Sequence, residues 1–152
     1  SLASHRPDMK LYATDIEPGA IRIIQENTLA MGMTKRVAIL HGHLMEPIPP
    51  SRPIDVVISN PPYIPSADIE CLPPEISKHE ARSALDGGAD GLDIYRVLVP
   101  AAAARARVGV AMEVGAGQAE AVARMFEEAG LTPVCSRADL AGVDRVVIGR
   151  CP

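Results

Sequence analysis

The four residues Asn60, Pro61, Pro62 and Tyr63 directly follow the apolar run IDVVISN, and their types suit one kind of chemistry. Neither proline carries an N–H, so nearby carbonyls are less readily consumed by local hydrogen bonds. Each proline also restrains the residue before it, which keeps Asn60 extended and the turn stiff. The side-chain oxygen of Asn60 and the carbonyl of Pro61 can then accept both hydrogens of a planar –NH₂ group, with the flat face of Tyr63 against it. The lone pair of an amide nitrogen is delocalised into its carbonyl. Two fixed acceptors raise the electron density on nitrogen and aim it at an electrophile such as a sulfonium methyl, without a strong base. The alternative is that Asn-Pro and Pro-Pro mark only a turn. Their place behind a strand and before a long irregular segment favours the site.

Asp15 is the second candidate. It ends the short apolar run LYATD and precedes Glu17-Pro18-Gly19, which open a helix. A carboxylate at the end of a strand in a βα unit is placed to accept from the ribose hydroxyls of an adenosyl cofactor. Its structural alternative is a helix-capping aspartate, and the two roles are compatible. His41 and His43 would share one face of a strand, but no carboxylate or cysteine cluster joins them, so a metal site is disfavoured.

The elements that must carry these residues alternate between strand-like and helix-like patterns, as in a mostly parallel α/β sheet. After LYATD, the residues Ala20, Ile23, Ile24, Asn27 and Met31 recur at helical spacing, and Gly32 suits the stop. RVAILHG reads as a second strand, LMEPIPPSRP as a surface connection, and IDVVISN as a third strand, apolar on both faces and so central and buried. Residues 61–93 have no clean period, and a segment of that length in a compact domain is usually functional. IYRVLVPAAAARA reads as a helix that Pro100 should kink or break. VGVAMEVG is a fourth strand, QAEAVARMFEEAG a helix ended by Gly130, and TPVCSRA with DRVVIGR a closing hairpin. DGGADG reads as a turn before a helix. GAGQA at 115–119 lacks the spacing of a dinucleotide fingerprint and is discounted as one.

Composition narrows the partners. With 152 residues and 47% hydrophobic content the chain can build one domain with a core. The net charge of −4 and the absence of a basic stripe disfavour a nucleic-acid backbone as partner. Three widely spaced cysteines without CxxC pairing point to reduced thiols and a cytoplasmic setting. No apolar run approaches the roughly 20 residues of a membrane span.

With these residues in view, the chain resembles the HemK/PrmC family of protein-(glutamine-N5) methyltransferases. The likeness runs through YATDIEPGA, SNPPYIP, HEARSALDGGADGLDIYRVL, EVGAGQAEAV and ADLAGVDRVVIGR. The resemblance implies a Rossmann-like α/β methyltransferase sheet with helices on both faces and an antiparallel C-terminal hairpin. It implies S-adenosylmethionine as cofactor, with Asp15 on its ribose, His43 and Leu44 beside the adenine, and Asn60 touching both cofactor and substrate. It also implies the glutamine of the Gly-Gly-Gln motif of class-1 release factors as methyl acceptor. Pro61, Pro62 and Tyr63 would complete the glutamine pocket, and Glu80 and Arg82 would order the substrate-side loop. No direct nucleic-acid or membrane partner is expected.

Several departures from the family pattern carry expectations of their own. Gly42-His43 stands where the family usually has Gly-Asp; histidine can still accept from an adenine amino group through an unprotonated ring nitrogen. His79-Glu80-Ala81-Arg82 stands for Tyr-Glu-Pro-Arg, keeping the charged pair and losing the proline. The structural alternative for that pair is an exposed ion pair of little worth. Residues 1–152 read as a catalytic domain lacking its first strand, its glycine-rich cofactor loop and the N-terminal helical domain. That first strand would lie between those ending at Asp15 and Asn60, so direct pairing of LYATD with IDVVISN would contradict the reading. The alternatives are a ribosomal-protein glutamine methyltransferase, an adenine-N6 methyltransferase acting on nucleic acid, and an inert binding remnant.

Overall fold

The computed structural model describes residues 2–77 and 80–152, so His79 lies outside the described residues. The chain forms two compact units, Ser1–Arg52 and Pro53–Pro152.

In the first unit a short helix α1 (Leu2–His5) precedes strand β1 (Leu11–Asp15), helix α2 (Pro18–Ala30) and strand β2 (Val37–His41). β1 and β2 pair in parallel, with Leu11 opposite Val37 and Asp15 opposite His41. Pro18 occupies the first helical position of α2, where its missing N–H costs nothing. The helix stops as expected, with Met31 at its C-cap and Gly32 in the left-handed region at φ 65°. Its packing face differs from the expected stripe. Thr28 is buried and Ala20, Ile21 and Ile24 are half-buried, whereas Ile23 and Asn27 are exposed. Both residues match the helical period but lie to one side of the covered stripe. The proline-rich connection after β2 is irregular, as read, yet it buries Met45 and Ile48.

The second unit starts with β3 (Ile54–Ser59), a 3₁₀ turn (Ile69–Cys71) and two short helices, α3 (Pro74–Ser77) and α4 (Arg82–Leu85). Helix α5 (Asp93–Ala103), strand β4 (Ala106–Glu113), helix α6 (Ala119–Glu128) and strands β5 (Val134–Ala138) and β6 (Asp144–Arg150) follow. The sheet order is β3-β4-β6-β5. β3 and β4 are parallel, while β6 is antiparallel to both β4 and β5, so the last strand is inserted between the two that precede it.

The core of this unit sits where α5 and α6 meet each other and the sheet. Tyr95, Leu98, Val99 and Ala102 line one side of α5 at the i, i+3, i+4, i+7 spacing of a buried stripe. Val122 and Phe126 do the same on α6, which packs on β6 and β5, and Val110, Met112 and Val147 are buried residues of the sheet. Gly149 makes this packing possible, because a Cβ there would lie 2.7 Å from the Phe126 ring and 2.9 Å from the Leu131 side chain. Of the kink or break expected at Pro100 the break does not occur: helix α5 runs through it, with Pro100 exposed.

One strand expectation is corrected. β3 lies at the edge of its sheet, with β4 as its strand partner, and Val56 and Ile58 are exposed. An apolar run is buried only where elements cover both faces and both edges, and the pattern itself does not carry that information. Among the described residues the strand partner of β1 is β2.

Candidate active site

The chain leaves β3 at Ser59 and enters Asn60-Pro61-Pro62-Tyr63. Asn60 is exposed, Pro61 buried, and Pro62 and Tyr63 half-buried. All four line a cleft of about 220 Å³, together with Glu80 and Leu85. The expected substrate residues of this unit therefore share one cavity, apart from Arg82, which is absent from its lining.

The irregular segment after Tyr63 is held by a short ladder. Ile64 N–H donates to Leu85 O at 3.0 Å, Gly87 N–H to Ile64 O at 2.9 Å, and Ser66 N–H to Gly88 O at 2.9 Å. Asp86 anchors the ladder from its side chain. Its Oδ1 accepts from the Ser66 hydroxyl at 2.5 Å and from Gly88 N–H at 3.0 Å. Its Oδ2 accepts from Arg82 Nε–H at 3.0 Å. The Ser66 hydroxyl and then the Gly88 amide, with lesser help from the Arg82 guanidinium, hold the Asp86 carboxyl below its ordinary range, while desolvation opposes them. Arg82 thus pairs with Asp86, one helical turn on, and Glu80 instead lines the cleft.

Past the ladder, Asp90 accepts from Leu92 N–H and pairs with Arg96, which also reaches Asp93 at the start of α5. The DGGADG sequence is the expected turn before a helix, with Gly88 and Gly91 at φ 89° and 76°. Tyr95 is fully buried and its hydroxyl donates to Glu113 O at 2.6 Å, at the end of β4. Burial, with the Tyr63 phenol and the Glu113 carboxylate adding to it, pushes the Tyr95 phenol well above its usual range.

Gln118, which sequence reasoning did not single out, is bonded to the last residue of the Asn60–Tyr63 motif. Its Nε2 donates to Tyr63 O at 2.9 Å and to Gly91 O at 3.3 Å, and its Oε1 accepts from Gly115 N–H at 2.9 Å. A second cavity of about 400 Å³ adjoins Tyr63 and Gln118, with Asp68 and Asp90 on its wall. The available signal was composition. Glutamine begins α6 after Gly-Ala-Gly, a position that usually takes a short capping side chain.

The remaining expected residues belong to the first unit. Asp15 ends β1 half-exposed, and its Oδ1 accepts from Glu17 N–H at 2.8 Å. That bond reaches the residue before α2, so Asp15 steadies the helix entry without being its cap. Gly42 N–H donates to Asp15 O at 2.9 Å, which fixes the turn after β2. β2 ends at His41, so His43 does not share its strand face. His41 Nε2 bonds Ile16 O at 2.9 Å, and His43 Nδ1 faces Glu46 Oε1 at 3.3 Å. Leu44 adopts φ 47°, the left-handed region that few branched residues occupy. No group of three or more metal-ligating side chains occurs among the described residues.

No family model matches the chain. It is 44% identical over 152 residues to the release factor glutamine methyltransferase of Geobacter sulfurreducens, covering 99% of this chain and 52% of that protein. It is 43% identical to the protein of the same name in Rhodospirillum rubrum, covering 99% of this chain and 46% of that one. Over nearly its whole length the chain is similar to proteins named release factor glutamine methyltransferase. It spans about half the length of these curated relatives.

Solved structures agree on the fold. The catalytic domain of hMettl16, in complex with the MAT2A 3′UTR hairpin 6, matches with a TM-score of 0.74 at 10% identity, covering 97% of this chain and 58% of that one. A methyltransferase from Pyrococcus furiosus matches with a TM-score of 0.67 at 14% identity, covering 98% and 68%. The α/β methyltransferase fold expected from sequence is the one found.

Proposed function

We propose that the complete enzyme represented by this chain transfers a methyl group from S-adenosylmethionine to N5 of the glutamine in the Gly-Gly-Gln motif of class-1 release factors. The reading is carried by the arrangement at the end of β3, where Asn60, Pro61, Pro62 and Tyr63 line one cleft with Glu80. The names and identities of the relatives support the same substrate.

In this reading Asn60 Oδ1 and Pro61 O accept the two amide hydrogens, and the Tyr63 ring limits the tilt of the amide plane. The nitrogen lone pair is thereby aimed at the methyl donor; the carbon–sulfur bond would break as the N–C bond forms, and one amide proton would then pass to solvent water. Glu80 at the cleft would orient the substrate loop, and Arg82 would act on it through Asp86. S-adenosylmethionine supplies the chemistry of a methyl group activated by an attached sulfonium charge.

The residues of the first unit fit the adenosyl part of that cofactor. Asp15 presents a half-exposed carboxylate at a strand end, with its engaged Oδ1 steadied by Glu17 N–H. Glu46 beside His43 Nδ1 favours the tautomer protonated there, which leaves Nε2 as an acceptor for an adenine amino group. Leu44 would pack beside the ring. The proposed setting is cytoplasmic; no described helix is long and apolar enough to cross a membrane.

Methyl transfer by the complete enzyme to purified release factor, ribosomal protein and adenine-containing RNA or DNA tests the proposal. Labelling of the release-factor glutamine is the expected result. Labelling of the ribosomal protein alone, or of adenine, would overturn it. The net charge of −4 weighs against the last outcome.

A further inference from the structure

We infer that Gln118 is the positioning residue of the amide pocket, fixing the carbonyl and ring of Tyr63 and through them the alignment of Asn60 and Pro61. The inference rests on the proposed methyl transfer and names a residue that acts within the same site.

Three backbone segments far apart in sequence converge on one side-chain amide. Gln118 donates to Tyr63 O at 2.9 Å and Gly91 O at 3.3 Å and accepts from Gly115 N–H at 2.9 Å. Two donor hydrogens and an acceptor in one planar group are found only in glutamine and asparagine, and asparagine is one methylene shorter. The surroundings are cut to this shape. A Cβ at Gly115 would lie 2.7 Å from Gln118 Oε1 and 3.1 Å from Tyr63 Cδ2, so the amide and the ring both occupy the space that glycine leaves. A Cβ at Gly91 would meet Gln118 Nε2 at 2.5 Å and would collide with Tyr63 O.

The helix that Gln118 begins does not account for the residue. Gln118 is the N-cap of α6 and makes no side-chain capping bond, because its amide is turned toward Tyr63 and Gly91. Its bond to Tyr63 O spans 55 positions of sequence. Tyr63 is the last residue of the pocket motif, and the two prolines before it transmit its backbone setting to Asn60 with little slack. Holding Tyr63 O also removes that carbonyl from the set that could compete for the target amide. Asn60 Oδ1 and Pro61 O are then left to accept the two hydrogens.

Gln118→Glu in the complete enzyme is the test, because the carboxylate keeps the shape and loses both donors. At pH 8 the kcat for release-factor methylation should fall roughly 10- to 100-fold, the scale of a small misplacement in an active site. The Kd for S-adenosylmethionine, by calorimetry, should stay within about twofold, since the change acts on the acceptor side. Facing two carbonyls, the new carboxyl should protonate as pH falls toward 6 and donate to Tyr63 O, so activity relative to wild type should rise. Gln118→Met, which cannot titrate, should stay low across the same range. Proportional loss of kcat and cofactor affinity, or a pH-independent ratio of Gln118→Glu to wild type, would overturn the inference.

Isotope-labelled tyrosine spectra, with Tyr63 assigned from Tyr63→Phe, separate this inference from the substrate reading. Should wild type fail to methylate the release factor, the substrate reading falls. The Tyr63 ring signals should still shift or broaden in Gln118→Glu at pH 8 and return on acidification. Unchanged Tyr63 signals would overturn the role of Gln118 whatever the substrate.

Discussion

Two strand ends carry the residues expected to do chemistry, and they are held in different ways. At the end of β1, Asp15 is set by one side-chain bond to Glu17 N–H and one backbone bond from Gly42. Its unit buries Ala3, Thr28, Met45 and Ile48, and its sheet has two strands. At the end of β3, Asn60–Tyr63 runs into a segment fastened by Asp86 and Gln118, in a unit whose core holds the fully buried Tyr95, Met112 and Phe126. The contrast fits the tasks proposed for them. A carboxylate that accepts from ribose hydroxyls needs a position and a charge. Two acceptors that must match both hydrogens of one amide need their mutual geometry fixed, and an irregular segment holds geometry only where something ties it down.

The strongest way to break this comparison is to put the same change at one glycine in each unit. Gly91 and Gly32 both have positive φ, at 76° and 65°. A Cβ at Gly91 collides with Tyr63 O and Gln118, whereas one at Gly32 meets nothing within 4 Å. Gly91→Ala should cost about 2–5 kcal/mol, adding overpacking to left-handed strain. Gly32→Ala should cost only the strain, about 1–2 kcal/mol. Urea denaturation of the complete enzyme measures both, and equal losses would mean that the tethered segment is no more constrained than a helix end.

The next test compares the chemistry of the two ends. Asn60→Ala removes one of the two amide acceptors and should lower single-turnover methyl transfer roughly 100-fold, as loss of one preorganised group does elsewhere. Asp15→Asn should instead weaken S-adenosylmethionine binding by about tenfold, the worth of a charge-assisted hydrogen bond, with chemistry at saturating cofactor nearly unchanged. If Asp15→Asn slows saturated turnover as much as Asn60→Ala, the division of labour between the ends is wrong. An exposed position should do neither: Ile23→Ser, on the open side of α2, should shift stability by less than about 0.5 kcal/mol.

What the sequence made legible was local. The alternation of elements, the stop at Gly32, the turn at 86–91 and the strand end bearing Asn60 are all set by residues within a few positions of one another. Burial of β3 was not legible, because IDVVISN reads the same whether neighbours cover it or leave Val56 and Ile58 exposed. Gln118 was hidden for a related reason, since its partners Tyr63 and Gly91 lie 55 and 27 positions away. Arg82 was paired in the reading with the nearby Glu80, although the i,i+4 rule pointed to Asp86, which it contacts.

The last of the contrasts concerns the support behind the pocket. Tyr95 donates to Glu113 O at 2.6 Å, tying α5 to the strand end that leads into Gly115 and Gln118. Tyr95→Phe keeps the ring and leaves that carbonyl without the hydroxyl, which should cost about 1–2 kcal/mol. The pH dependence gives this contribution a signature. The phenol is held above its ordinary value in the folded protein, chiefly by burial. The folded state therefore keeps a proton that the unfolded chain begins to lose near pH 10, and stability falls as pH rises. The stabilisation is fully present below the unfolded value and is lost as pH climbs toward the folded one. Phenylalanine has no proton to lose, so the gap between wild type and Tyr95→Phe should be constant up to about pH 9.5 and narrow above it. Denaturation midpoints of the two proteins from pH 7 to 11 measure the gap. A gap that stays constant through pH 11 would mean that Tyr95 supports the strand end by packing alone.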